Sequence, residues 1–265
     1  MDLVYAGSGI GNVVLATPVC KALGEVDLCI GLQEVPGIEE LFKIPSVRRV
    51  ITQNTAPPDR RYDKVVLTRW FHPHYFPGDY SPGTIKGNIK FVDVDDQIHE
   101  ITNNLHSVGG DFTPEVNYPI TPIVCEHKTI GIHAGGKSQG SWISKRWDKY
   151  QELADILKEQ GHKVVLFGVG NDDFIEDTNK NFFGVKDIYL VAGLINACDH
   201  FISNDTGLMH IRASMGKPQI AIVCGLGYDR WVKNDITFYN PEAKYVAKKN
   251  AKDISVDEVL NLLEE

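Results

Sequence analysis

Short apolar runs alternate with amphipathic segments along most of the chain. Leu3–Ala6, Val26–Leu32, Arg49–Ile51 and Lys64–Thr68 are too brief for helices and read as strands. Between them, Asn12–Leu23 and Ile38–Phe42 read as helices, and Pro18 should kink the first or limit its regular part. Ile98, Ile101, Leu105 and Val108 fall at helical spacing, with Asp95 or Asp96 as cap and Gly109 as stop. The second half alternates more cleanly. Thr129–His133, Lys163–Phe167, His200–Ser203 and Gln219–Val223 are its strands. Asp148 should cap a helix with the stripe Tyr150, Leu153, Ala154, Ile156 and Leu157, ended by Gly161. Helices are expected near 172–180 and 188–197 and at Leu208–Met215, the last closed by Gly216. Ser255-x-x-Glu258 is a capping box for a final helix with Val259, Leu262 and Leu263 on its buried face. Strands that alternate with helices imply parallel sheets with crossover helices.

Two stretches break this rhythm. Arg69–Lys90 is rich in proline, glycine and aromatic residues and reads as a long loop, folded on the surface or facing a substrate. Asp111–Val124 carries Pro114, Pro119 and Pro122 without periodicity and reads as a linker. The chain then divides into domains at 1–120 and 121–265. Ligands of such sheets bind beyond the carboxyl ends of the strands. The loops at 7–11, 133–146, 168–173 and 204–207 fall on that edge.

Composition narrows the classes. No apolar run approaches the ~20 residues needed to cross a bilayer, and the start Met-Asp-Leu-Val-Tyr-Ala-Gly lacks the pattern of a signal peptide. Five scattered cysteines (20, 29, 125, 198, 224) form no Cys-x-x-Cys pair, so zinc is not expected and a reduced cytosol is. A net charge of −8 argues against a globally basic nucleic-acid binder. Lys244, Lys248, Lys249 and Lys252 read as a solvated surface.

The densest candidate chemistry lies at 199–216. A strand runs into the turn Asn204–Gly207 and then a helix, whose N-terminal N–H groups and dipole suit an anion. Asp205 and Thr206 stand at the cap and His210 about one turn in; capping alone would also explain Asp205. A glycine-rich loop with Gly135, Gly136 and Gly140 precedes Lys145 and Arg146. A charge-assisted contact from such a cation contributes roughly 1.5–3 kcal/mol. An ordinary exposed pair is the plainer reading. His72-x-His74 could ligate a metal, but no third ligand follows from the spacing.

Ile10–Pro18, Ile130–Gly135, Ser144-Lys-Arg-Trp147, Val164–Gly168 and Ser203–His210 followed by Gly216-Lys-Pro218 together resemble the family-9 glycosyltransferases. These are the heptosyltransferases of lipopolysaccharide assembly and their relatives. The resemblance is close over about 130–225, thinner at 8–23, and one of organisation only at 30–125. It implies a GT-B-like α/β fold: two Rossmann-like domains with parallel sheets facing a central cleft. Residues 1–120 would form the acceptor-side domain and 121–265 the nucleotide-sugar-binding domain. It further implies an inverting glycosyltransferase with a nucleotide-diphosphate sugar as donor substrate, no cofactor and no essential metal. Lys145 matches the lysine that contacts the donor phosphate. Asp205, Thr206, Gly207 and His210 match the donor-binding motif, and Gly9 and Gly11 match the N-terminal loop that meets the donor.

One position departs from the pattern. Asn12 stands where the family has its proposed base, an Asp. An amide cannot take the acceptor's proton, and a general base contributes about 10²–10⁴-fold. Asn12 then orients the acceptor while His72, His74 or Asp79 is the base, or the acceptor is acidic enough to need none, or the protein binds a nucleotide sugar without turnover. The acceptor class stays open between a glycan, a lipid-linked saccharide and another hydroxyl compound, modified nucleic acid included. The expected location is the cytoplasm, with the inner membrane surface as an alternative. A nicotinamide oxidoreductase is suggested by Gly7-x-Gly9 and Glu34, but Asn12 breaks that fingerprint. A sugar-nucleotide epimerase of the same two-domain shape is a further reading.

Overall fold

A computed structural model describes residues 1–31, 35–52, 61–68, 86–91, 95, 97–106, 108–121 and 128–264. The candidates His72, His74 and Asp79, with Glu34 and Cys125, lie outside the described residues. The chain forms two compact units. The first is Met1–Tyr118 with Asp187–Tyr189, and the second is Pro119–Lys186 with Leu190–Glu265. Each holds a parallel sheet, so the chain has the two-sheet α/β organisation of the GT-B class.

The first unit contains β1 (Asp2–Ala6), α1 (Ile10–Val14), α2 (Thr17–Leu23), β2 (Val26–Ile30), α3 (Ile38–Leu41), β3 (Val47–Ile51), β4 (Arg61–Leu67), β5 (Lys86–Phe91) and α4 (Glu100–Leu105). Its strand order is β3-β2-β1-β4-β5. β1 and β2 are almost wholly buried, as central parallel strands covered on both faces are. Pro18 divides the expected long helix in two: it sits in the first turn of α2, where a missing N–H costs nothing. β5 lies in the stretch read as loop. A polar edge strand, Lys-Gly-Asn-Ile-Lys-Phe, gives little periodic signal. α4 is capped by His99, whose Nδ1 accepts from the Ile101 N–H at 3.2 Å. Asp95 instead accepts from the Gln97 N–H at 2.8 Å.

The second unit contains β6 (Thr129–His133), α5 (Tyr150–Glu159), β7 (Lys163–Gly168), β8 (Lys180–Phe183), most of α6 (Ile188–Asn196), β9 (His200–Asn204), α7 (Gly207–Ser214), β10 (Gln219–Cys224), α8 (Leu226–Asp229), α9 (Trp231–Asn234), β11 (Ala243–Lys248) and α10 (Val256–Glu264). The order β11-β10-β9-β6-β7-β8 reverses direction between β6 and β9. Ligands of such sheets bind at that reversal. β6, β7 and β10 pack with α5 and α10 around Trp147, Leu153, Leu157, Val259 and Leu263. Burying each large aliphatic side chain contributes about 1.5–3 kcal/mol.

The helix expected near 172–180 is absent. The segment turns at 168–173 and then runs along the edge as β8, because its polar groups serve other partners. Asp172 accepts from the Val169 N–H at 2.8 Å, and Asn179 Oδ1 accepts from the Val164 N–H at 2.8 Å. Lys149, not Asp148, is the residue before α5. The capping box forms: the Ser255 N–H reaches Glu258 at 2.9 Å and the Glu258 N–H reaches Ser255 Oγ at 3.2 Å. Lys244 and Lys248 lie on the edge strand β11, where lysine discourages further pairing. Among the described residues no helix is long and apolar enough to cross a membrane.

Candidate functional site

The carboxyl ends of β6 and β9 meet at the reversal of the second sheet, and the described polar groups concentrate there. Asn204 is the last residue of β9 and is fully buried. Its amide nitrogen donates to the carbonyls of Ala134 and Gly135 at 3.1 and 3.0 Å. Its carbonyl accepts from the Trp147 N–H at 3.2 Å and the Tyr150 hydroxyl at 3.1 Å. One side chain thus holds both ends of the 134–147 loop with its full hydrogen-bonding capacity.

Asp205 follows, 3% exposed, and forms an ion pair with Lys145, 11% exposed. Both charges are therefore nearly withdrawn from water, where a pair persists only with good geometry. The capping reading of Asp205 gives way: Thr206 occupies the cap of α7, and no side chain caps the helix. Among the described residues the first N–H groups of α7 thus have no side-chain cap, next to the Lys145–Asp205 pair. Gly227 covers the pair. A Cβ there would sit 3.1 Å from Asp205 Oδ2 and 3.2 Å from Lys145 Cε, tighter than ordinary contact. Gly225 (φ +53°) lets the turn before α8 press onto the loop, and the Leu226 N–H donates to Ser144 Oγ at 3.0 Å.

His210 lies in α7 and is 4% exposed. Burial pushes its imidazole down to about 4; the Asp205 charge raises it and the Lys145 charge lowers it. It is neutral at physiological pH. Its Nδ1 is 2.8 Å from the Tyr239 hydroxyl.

A second cluster ties β6 to the 168–173 turn. His133 Nε2 is 3.4 Å from Asp172 Oδ2, and Thr206 Oγ1 is 3.3 Å from His133 Nδ1. Burial pushes the Asp172 carboxyl up, but His133 and the N–H groups of Val169 and Gly136 outweigh it and leave the carboxyl below its ordinary range. Gly135 allows this approach: a Cβ there would lie 2.1 Å from Asp172 Oδ1. Arg146 donates to Asp173 at 3.1 Å and to the Gly136 carbonyl at 2.5 Å, with Asp172 at 3.7 Å. Arg146 thus bridges the 134–147 loop and the 168–173 turn, whereas Lys145 pairs with Asp205 just before α7. Trp142 gathers three cations against its ring: Lys137 at 4.8 Å, Arg230 at 5.1 Å and Lys145 at 5.3 Å from the centroid.

Of the sequence-derived candidates, Gly135, Lys145, Arg146, Asp205, Thr206, Gly207 and His210 come together at this edge. Gly9, Gly11 and Asn12 belong to the first unit: Gly9 caps α1, and Asn12 lies in its first turn. Neither glycine has a positive φ, so backbone strain does not demand it. Sequence reasoning missed Asn204, Asp172, Trp142 and Tyr239. Asn204 carried a signal, an amide just before the anion-suited turn; the other three become visible only through their partners. Among the described residues no three His, Cys, Asp or Glu side chains converge as a metal site would require.

The model of glycosyltransferase family 9 (heptosyltransferase) matches residues 125–223. Lipooligosaccharide heptosyltransferase 2 of Haemophilus ducreyi is 36% identical over 90 residues, 29% of this chain and 26% of that protein. The sequence match thus spans about a quarter of that relative. The solved ADP-heptose LPS heptosyltransferase II of E. coli superposes with TM-score 0.70 at 18% identity, covering 99% of this chain and 97% of that one. At that identity the likeness concerns the fold. TibC of enterotoxigenic E. coli, described as an iron-containing dodecameric glycosyltransferase, has TM-score 0.60 at 15% identity, covering 91% of this chain and 61% of that one.

Proposed function

Starting from a chain that is heptosyltransferase-like and related to glycosyltransferase family 9, we propose that it transfers a sugar from a nucleotide-diphosphate sugar to an acceptor hydroxyl, with inversion at the anomeric carbon. The observation that carries this reading is the buried Lys145–Asp205 pair at the uncapped N-terminus of α7, within the matched segment. As the acceptor oxygen attacks, the bond from the anomeric carbon to the diphosphate oxygen breaks. Negative charge then grows on the departing diphosphate. An ammonium has three donors, so Lys145 can keep Asp205 and still meet a phosphate oxygen. The α7 N–H groups oppose the same charge, and preorganised donors of this kind act strongly where water is excluded. These groups supply the charge stabilisation that a metal would otherwise provide. The E. coli relative's description names ADP-heptose, so an ADP-sugar is the first donor to try. A glycan or lipid-linked saccharide is the proposed acceptor, met in the cytoplasm or at the inner membrane surface.

Calorimetric titration with ADP, GDP, UDP and CDP tests this. One nucleoside diphosphate should bind, and Lys145→Gln, which keeps an amide donor for Asp205, should weaken it at least ~10-fold, the loss of one charge-assisted contact. Binding of none of them, or equal binding by the variant, would overturn the site. Asn12 favours one second reading, a nucleotide-sugar binder without turnover, because its carboxamide cannot accept a proton.

A further inference from the structure

His210 is neutral and nearly buried, so which ring nitrogen carries its single proton decides what it can do. Its Nδ1 faces the Tyr239 hydroxyl at 2.8 Å. Tyr239 is held from several sides. It follows a tight turn at Ile236–Phe238 whose cap, Asp235, accepts from the Thr237 N–H at 2.9 Å. It packs against the cluster of Met209, Ala213, Trp231 and Ile236. The next residue, Asn240, is fully buried, donates to the Lys217 carbonyl at 3.0 Å and accepts from the Glu242 N–H at 3.0 Å. The hydroxyl is therefore a fixed point.

Burial, with Asp205 and Asp235 in addition, raises the Tyr239 phenol well above its ordinary range, so it keeps its proton. A phenol is the better donor of the two groups and a neutral imidazole nitrogen the better acceptor. When the hydroxyl donates to Nδ1, the ring's own N–H is at Nε2.

We propose that Tyr239 is a positioning residue that fixes the proton of His210 on Nε2, so that the imidazole offers an N–H rather than a lone pair to a phosphate oxygen beside Lys145 and the α7 N-terminus. The phosphate half of this statement rests on the function proposed above; the tautomer does not. In the opposite tautomer Nε2 would carry a lone pair, which a phosphate oxygen placed there would repel. Nothing in the sequence motif around His210 contains Tyr239, which lies 29 residues further on.

The test is a long-range ¹H–¹⁵N spectrum of the full chain with ¹⁵N-labelled histidine at pH 7. His210→Gln identifies the His210 signal. The expected spectrum shows Nε2 protonated and Nδ1 as a hydrogen-bonded acceptor. Tyr239→Phe should give mixed tautomers and an ADP affinity about 5-fold weaker, as loss of one ordinary hydrogen bond predicts. A wild-type spectrum with the proton on Nδ1 overturns the proposal, even if Tyr239→Phe fails to fold. So does a folded Tyr239→Phe protein with an unchanged tautomer or unchanged ADP affinity. If wild-type protein binds no nucleotide, the donor-site reading fails, and the spectrum still decides the tautomer.

Discussion

Both units place a strand, a turn and a helix at the centre of a parallel sheet, yet they bury charge at opposite ends of their strands. In the second unit, Lys145–Asp205 and the group around Asp172 and His133 lie at the carboxyl ends of β6, β7 and β9. In the first unit two described carboxylates are buried: Glu100, in the first turn of α4, and Asp27, near the start of β2. Asp27 receives two bonds from Arg48 at 2.9 and 2.8 Å and a third from the Tyr62 hydroxyl at 2.9 Å. Asp27 is saturated by a neighbouring-strand arginine and a tyrosine, a closed arrangement. Among the described residues Asp205 pairs with one cation, Lys145, at a helix terminus without a side-chain cap. The loop after β1 is built from Gly7, Ser8 and Gly9 and carries no charge. The proposed binding edge is thus the one whose buried carboxylate pairs with a lysine next to a helix terminus.

The largest effect that would test this contrast is on stability. Lys145→Met strands Asp205 as a buried unpaired carboxylate and should cost about 3–5 kcal/mol. Arg48→Met leaves Asp27 its Tyr62 bond, and Arg48 is 39% exposed, so about 1–2 kcal/mol is expected there. Urea denaturation of the two variants checks the ranking, and an equal or reversed order would remove the distinction between the units.

A second prediction concerns pH. The folded chain protonates His210 only near pH 4, the unfolded chain near the reference value of 6.5. The unfolded state thus binds more protons between these values. The stability from a neutral His210 is fully present above pH 6.5 and is lost as the pH falls to about 4, by about 3 kcal/mol in all. Asp172, held below its ordinary range, adds loss in the same direction at lower pH. His210→Gln should reduce the slope between pH 6.5 and 4, read by thermal unfolding, while His200, which burial also pushes down to about 4, supplies the remainder. An unchanged slope would mean that His210 is not the buried neutral group described.

The smallest effect is expected in the first unit. Asn12→Asp puts an acid in the first turn of α1, a favourable place for one. Stability should change by less than ~0.5 kcal/mol, as for most substitutions outside a packed core. Release of nucleoside diphosphate in an acceptor screen is the accompanying readout. Turnover confined to the variant would favour the binder reading for the natural chain, and turnover by the natural chain would remove it.

Much of the second unit was legible beforehand. β6, β9 and β10 read as strands because both their faces are buried, which writes a continuous apolar run into the sequence. The anion-suited turn and Lys145 read from residue types in order. β5 and β8 did not, since an edge strand is polar on exposed positions and resembles a loop. The false helix near 172–180 arose from a segment whose asparagine and aspartate side chains bind distant backbone. Arg146 and Lys145 read alike in the sequence, because adjacent charges are distinguished only by their partners.

The sequence alone determined most of the alternation of elements and the types of group gathered at the second sheet's edge. Those follow from burial and local conformation, which act on neighbours in the chain. Only the tertiary structure decided which cation serves Asp205, which carboxylate holds Arg146, and where Tyr239 meets His210. Those pairings join residues that folding brings together from 27 to 60 positions apart. Electrostatics and hydrogen bonding depend on distance through space, which the order of residues does not state.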